Sequence, residues 1–193
     1  HIWPKLRCPV YATDFTIGHV IPRLREYKLD GDVELISVND NPVVKLQNFE
    51  VEYIPVAHSL PENSALHIKT RHGSIFHATD WRFDDGQVEF MKTSFERLKQ
   101  VGEQGIDLYV GDSIHMAHPS EQPSEMAIRE SLIELLPKYK NTLVATCFAS
   151  NVARMESLLI AAHAAGRTPV IAGMSLIQNM NIAMGLPETE GLM

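Results

Sequence analysis

Two short segments of this sequence combine residue types that could do chemistry. In Val56-Ala57-His58-Ser59-Leu60-Pro61-Glu62-Asn63-Ser64, a histidine sits just past the end of a predicted strand and opens a polar loop. In Ile75-Phe76-His77-Ala78-Thr79-Asp80-Trp81, an aspartate follows the next strand but one. The hairpin between them turns the chain back, so His58 and Asp80 come to the same edge of the sheet. An imidazole and a carboxylate are both zinc-ligand types, and the two oxygens of a carboxylate can bind one metal each. Spacing alone leaves a second reading open, a solvated surface pair.

The elements that would position these residues are legible from periodicity. Phe49 to Ile54 alternates apolar and polar, the period of a half-buried strand, and Ala65 to Thr70 repeats it. Arg71-His72-Gly73 is a tight hairpin turn, and Ser74 to Ala78 is the return strand. Upstream, Pro9 to Thr13 reads as a short buried strand. Asp14 reads as the N-cap of a helix through Leu29, with Ile17, Val20, Ile21 and Leu24 on one face, and Pro22 should kink it or delay its start. Val33 to Val38 is another strand, followed by the turn cluster Asn39-Asp40-Asn41-Pro42. After residue 90 the pattern predicts a helix over Met91 to Val101 and a buried strand over Ile106 to Val110. A helix capped by Ser124 runs through Lys140, with acidic Glu125 in its first turn. A strand over Thr142 to Thr146 and a helix from Ser150 to Ala165, stopped by Gly166, come next. Val170 to Ala172 is a last strand, before a helix that Ser175 can cap. Alternating strands and helices imply a parallel sheet in this half. The Pro/Ser/Glu stretch from Pro119 to Pro123 marks a boundary.

The composition narrows the function classes. Hydrophobic residues make up 45% of 193 residues, enough for a packed core and too many for a disordered chain. No apolar run approaches the length of about 18 residues that a membrane helix needs, and residues 1–5 carry no signal-peptide core. Two cysteines, Cys8 and Cys147, do not make a disulfide framework; they read as small buried hydrophobes in a reducing cytoplasm. The net charge of −7 is not the footprint of a general nucleic-acid binder, although a local basic groove can sit in an acidic protein. The chain does not begin with Met, so its natural start is expected upstream.

Five segments, in order, resemble the motifs of the ribonuclease J family, in the β-CASP branch of the metallo-β-lactamase superfamily. His58-Ser59-Leu60-Pro61-Glu62 resembles the family's His-Ser-Ile-Pro-(Asp/Glu). His77-Ala78-Thr79-Asp80-Trp81-Arg82-Phe83-Asp84 resembles its His-Thr-Gly-Asp-(Phe/Trp)-Lys-(Phe/Ile)-Asp. Gly111-Asp112-Ser113 resembles its Asp-Ser-Thr-Asn segment, Phe148-Ala149-Ser150-Asn151-Val152 its Phe-Ala-Ser-Asn-Val, and Gly173-Met174-Ser175 its Gly-Arg-Ser. His1 is similar to the last histidine of the hallmark His-x-His-x-Asp-His, whose earlier ligands would precede residue 1.

The resemblance implies an α/β fold: the C-terminal part of a metallo-β-lactamase αββα core over 1–117, then the beginning of a parallel α/β β-CASP domain over 118–193. It implies His1 and His58 as metal ligands, Asp80 as the carboxylate shared by two metals, and Asp112 as the acidic residue that orders the site. Asp80 and Asp112 are thereby the catalytic candidates. In the intact parent it implies a zinc-dependent RNA phosphodiester hydrolase, a 5′-to-3′ exonuclease and endonuclease. Such a site holds two Zn²⁺, or Mn²⁺ or Mg²⁺ in their place. The partner is RNA, the assembly a homo-oligomer, the location cytoplasmic and away from membranes. Lacking the earlier ligands, the chain alone is expected to bind zinc weakly and to be inactive. Thr79 stands where the family has Gly, Met174 where it has Arg, Ile114-His115 where it has Thr-Asn, and Asp14 where it has Pro. These departures keep open a non-catalytic paralogue that binds RNA or a partner as a scaffold. A metallo-β-lactamase-fold hydrolase of small esters is the other alternative; the α/β half from about residue 118 argues against it.

Other residues carry two readings each. Ser150 and Asn151 open a helix, and Ser175 opens the next; helix N-termini attract phosphate, and plain capping explains them equally well. His115 and His118 read best as surface loop histidines, His67 and His77 as structural, and His72, His19 and His163 as ordinary. Arg71, Arg82 and Lys92 either line an RNA channel or are simply exposed.

Overall fold

The computed structural model describes residues 2–84, 88, 90–114, 117 and 122–185. The chain forms two compact units that interleave along the sequence: residues 1–54, 64–77 and 95–110 in one, and residues 55–63, 78–94 and 111–193 in the other. This partition by contacts is distinct from a division into family modules at residue 117.

The first unit opens with a short helix α1 (Trp3–Leu6) that periodicity did not predict. Strand β1 (Val10–Ala12) pairs in parallel with β2 (Leu35–Ser37), in the register Val10–Leu35, Tyr11–Ile36 and Ala12–Ser37. Between them runs α2 (Asp14–Glu26). Its N-cap is Thr13 rather than Asp14, and Pro22 lies inside it without ending it. The Asp14 carboxylate accepts from Asn39 Nδ2 at 3.1 Å, so it ties the helix start to the turn after β2 instead of capping its own helix.

A five-stranded sheet has the order β3 (Val43–Lys45), β4 (Phe49–Pro55), β5 (Ser64–Thr70), β6 (Gly73–Ala78), β7 (Leu108–Gly111). The expected alternation is present at the start of β5, where Ala65 and His67 are buried between half-buried neighbours, but not in β4, where Phe49 is exposed, residues 50–53 are half-buried and Ile54 is buried. Strand β3, antiparallel to β4, was hidden behind the turn cluster. The β5–β6 hairpin keeps the register Leu66–His77 to Thr70–Gly73. Gly73 has φ +147°, and a Cβ there would meet Asp107 Oδ2 at 2.7 Å. That oxygen accepts from Ser74 N, also at 2.7 Å, so only glycine fits the turn. Helix α3 (Phe95–Gln104) begins four residues later than the expected Met91. Its Arg97 grips Glu52 of β4 with Nε–Oε1 at 2.5 Å and Nη2–Oε2 at 2.7 Å.

Two expectations fail in this unit. The 106–110 stretch was read as a buried strand, but Leu108, Tyr109 and Val110 are exposed. An apolar run reads as a strand covered on both faces, whereas β7 is last in the sheet order and, among the described residues, has a neighbour on one side only. His67 was expected to be satisfied. It is buried, yet neither ring nitrogen has a hydrogen-bond partner, and Nδ1 lies 3.7 Å from Glu52 Oε2.

Burial, reinforced by the charge of Lys69, holds the His67 imidazole below the ordinary histidine range, against the pull of Glu52. The sign follows directly. A folded-state value below the unfolded one means that the unfolded chain binds more protons, so stability is present above the unfolded value and lost as pH falls. Glu52, held low chiefly by its hydrogen bond from Arg97, acts in the same direction at more acidic pH. Urea denaturation is therefore expected to show a lower midpoint at about pH 5.5 than at about pH 8, across the histidine range. His67→Leu should flatten part of that dependence. An equal midpoint at both pH values would contradict this account.

In the second unit, α4 (Glu125–Leu135) starts at the expected cap, with Ser124 Oγ accepting from Ala127 N at 3.1 Å. It runs on into a 3-10 turn at Leu136–Lys138. It packs against α5 (Val152–Ala164), where Arg129 pairs with Glu156 and donates to Ser157 Oγ at 3.2 Å. Gly166, at φ +64°, ends α5 as the sequence indicates. Helix α6 (Met174–Ala183) has Gly173, at φ +122°, as its N-cap, so the expected cap Ser175 lies inside the first turn. The expected strands at 142–146 and 170–172 do not form. Both stretches run without a paired neighbour among the described residues, and Val144 and Val170 are 88% and 85% exposed. Their β-branched composition favours extended backbone, but a strand also needs a partner for its N–H and C=O groups.

Candidate functional site

His58, Asp80 and Asp112 each follow the carboxyl end of a strand, β4, β6 and β7 respectively, and all three belong to the second unit. The chain is drawn together there by backbone bonds. Val56 N donates to Asn63 O at 3.0 Å, closing the loop that carries His58. Arg82 N donates to Ala57 O at 2.9 Å, and Asp112 N donates to Ala78 O at 3.1 Å. Asn63 Nδ2 donates to the Asp80 carbonyl at 2.6 Å. Glu62, at φ +56°, takes the left-handed conformation that turns this loop. Ala57 of this loop is buried in a small cluster with Val88, Met91 and Ala153.

The His58 Nδ1 atom is buried and has no hydrogen-bond partner. Burial is the largest influence on this imidazole and holds it below the ordinary histidine range. Asp80 pulls the other way, Arg82 adds to the lowering, and Asp112 opposes it, so these charges all lie within electrostatic reach. The Asp80 side chain is exposed. The Asp112 carboxylate accepts from Ile114 N at 2.8 Å, a tight turn that fixes its own loop.

The residue types here are those that ligate divalent cations. A neutral imidazole offers a lone pair, the carboxylates offer charge, and the stranded polar atom of His58 lacks a protein partner. Among the described residues, no group of three or more His, Cys, Asp or Glu is close enough to hold a metal. The expected third ligand, His1, lies outside the described residues, as do His115 and His118.

Other candidates fall differently. Asn151 is used as the N-cap of α5, its Oδ1 accepting from Arg154 N at 2.8 Å, which is the capping reading. Ser150 is exposed beside it. Ser175 is exposed on α6; its carbonyl accepts from Asn179, and it does not join the hydrogen bonds around His58. Arg82, considered as a channel residue, is instead held in an ion cluster with Asp84 at 3.0 Å and Glu125 at 3.9 Å. Glu125 and Arg154 belong to that cluster and were not singled out. The available signal was a glutamate in the first turn of one helix and an arginine in the first turn of the next, which is also how ordinary exposed charges look.

Curated proteins called ribonuclease J align along almost the entire chain. The one from Sinorhizobium meliloti is 32% identical over 191 residues, covering 99% of this chain and 34% of that protein. The one from Mycolicibacterium smegmatis is 33% identical over 184 residues, covering 94% and 33%. The chain belongs to the ribonuclease J family. It spans about a third of the length of these curated relatives. A further ribonuclease J, from Pyrococcus abyssi, is 30% identical over 196 aligned positions and is covered to 42%. A solved structure of a protein of unknown function from Enterococcus faecalis has a TM-score of 0.57 at 22% identity, covering 79% of this chain and 39% of that one; it shares the fold. No family model matches the chain. The mixed α/β architecture, with parallel and antiparallel pairing, agrees with a ribonuclease J segment. Among the described residues, no helix is long and apolar enough to cross a membrane.

Proposed function

We propose that this chain is part of a metal-dependent ribonuclease of the ribonuclease J type, and that residues around His58 and Asp80 form part of its catalytic centre. One observation carries the reading: an imidazole with a buried, unpartnered nitrogen sits within electrostatic reach of two carboxylates, in the loops that carry the ribonuclease J motifs. On this reading 1–117 belongs to the metallo-β-lactamase core, and 118–193 begins the β-CASP domain. The substrate is RNA, cleaved from the 5′ end and internally. The assembled enzyme is a cytoplasmic homo-oligomer.

His58, Asp80 and His1 would hold two zinc ions, or Mn²⁺ or Mg²⁺ in their place. Bound there, such ions lower the pKa of water and offset charge on a phosphodiester. The chain's own contribution is positional. Burial keeps His58 neutral, so its lone pair stays available near neutral pH. The exposed Asp80 carboxylate is open to ligands, and the Asp112 turn orders the loop beside it. Ser150 lies just ahead of α5, where the positive end of the helix favours phosphate.

The test is zinc stoichiometry, by elemental analysis, on a longer ribonuclease J protein carrying this segment and on its His58→Ala variant. The variant is expected to hold less zinc and to have lost RNA cleavage. Equal zinc in both removes His58 from the site. Zinc bound without any RNA cleavage in the unaltered protein favours the scaffold paralogue.

A further inference from the structure

We propose that Glu125 is a positioning residue that sets the loop bearing His58, acting through the guanidinium groups of Arg82 and Arg154; the part that concerns metal rests on the reading above. Glu125 is fully buried. Burying a carboxylate is costly unless it is paired and hydrogen-bonded. Helix α4 does not need it as a cap. Ser124 Oγ already caps the first turn, and Asp84 Oδ2 accepts from Glu125 N at 3.1 Å. The side chain is used elsewhere. Its Oε1 and Oε2 accept from Arg154 Nη2 at 2.7 Å and Nε at 3.1 Å, a two-pronged pair, and Oε1 lies 3.9 Å from Arg82 Nη1. Arg82 also reaches Asp84 at 3.0 Å and donates to the Pro123 carbonyl at 3.0 Å.

The two arginines lead to the two sides of His58. The residue before it, Ala57, has its carbonyl bonded by Arg82 N at 2.9 Å. The residue after it, Ser59, has its carbonyl bonded by Ala153 N at 3.1 Å, and Ala153 is the neighbour of Arg154. His58 is thus bracketed by two backbone anchors, and one carboxylate holds the side chains at both. Ala57 and Ala153 are themselves buried in the same small cluster, which leaves little slack between the anchors. Outer-shell partners of this kind typically change metal affinity by about 10- to 100-fold when they are removed.

The experiment uses the 193-residue chain and its Glu125→Gln variant, which keeps the size of the side chain and removes its charge. Amide hydrogen exchange is followed at Arg82 and Ala153, and at Ile68 and Ile75 in the β5–β6 hairpin as reference. The expected result is exchange at least about tenfold faster at Arg82 and Ala153 with the hairpin amides unchanged, a local opening rather than a global one. Unchanged exchange at both anchors, or a uniform rise that includes the hairpin, overturns the proposal. Should Glu125→Gln fail to fold, Arg82→Met decides: it leaves the Glu125–Arg154 pair intact, and the proposal requires faster exchange at Arg82 alone. A parallel zinc titration on a longer ribonuclease J protein carrying this segment separates the two readings. Zinc affinity about tenfold lower in its Glu125→Gln form than in the unaltered protein supports both. An unaltered longer protein that takes up no zinc counts against the metal centre, while the exchange result still judges the positioning role.

Discussion

Asp80→Ala, placed in a longer ribonuclease J protein that carries this segment, is expected to lower RNA cleavage by well over about 100-fold, more than the loss of an outer-shell partner costs. The same variant should melt at nearly the unaltered temperature. The reason is a division of labour within one residue. The Asp80 carbonyl is structural, since it accepts from Asn63 Nδ2, and that bond survives truncation of the side chain. The Asp80 carboxylate is exposed, so removing it opens no cavity. A carboxylate that does nothing for the fold but sits within reach of a half-buried imidazole is available for a cation. Kinetics of a 5′-labelled RNA, read beside a thermal melt, check the prediction. Cleavage within a few-fold of the parent would take Asp80 out of the catalytic centre.

The second large effect concerns stability. Arg154→Met is expected to destabilise the chain by about 3 kcal/mol, the lower end of the range for breaking a buried pair, because Arg154 itself is partly exposed. The loss arises less from the missing attraction than from Glu125, which is left buried with Arg82, at 3.9 Å, as its remaining ion-pair partner among the described residues. Replacing both partners, as Arg154→Met with Glu125→Leu, should recover much of the loss, since an apolar pair of similar size carries no desolvation cost. Urea denaturation of the two variants measures the difference. A single variant that costs less than about 1 kcal/mol would mean that the pair behaves as an exposed surface bridge.

The β4–β5–β6 arrangement was readable because alternation, a tight turn with glycine and short loops are all local signals. They sufficed to return His58 and Asp80 to one side of the chain, and the ordered motifs added Asp112. Three features were not readable, each for a non-local reason. Whether 142–146 becomes a strand depends on a neighbour, which residue composition does not supply. Whether 106–110 is buried depends on its place in the sheet order, and β7 is last. The ion cluster joins Arg82, Glu125 and Arg154, which lie far apart in sequence, and nothing in the local pattern of any one marks it. His67 shows the limit from the other side. Its strand was legible, but a sequence does not show that both nitrogens of a buried ring lack a hydrogen-bond partner.

The unpaired stretch Thr142-Leu143-Val144-Ala145-Thr146-Cys147-Phe148 has a physical consequence of its own. It contains no charge, no proline and no glycine, and Val144 and Phe148 are largely exposed. Such heptads are the material of fibril spines, where copies stack edge to edge and satisfy one another's backbone groups. With no strand paired to it among the described residues, this segment is expected to promote aggregation in concentrated solutions, and Val144→Lys, which adds a gatekeeper charge, is expected to slow it.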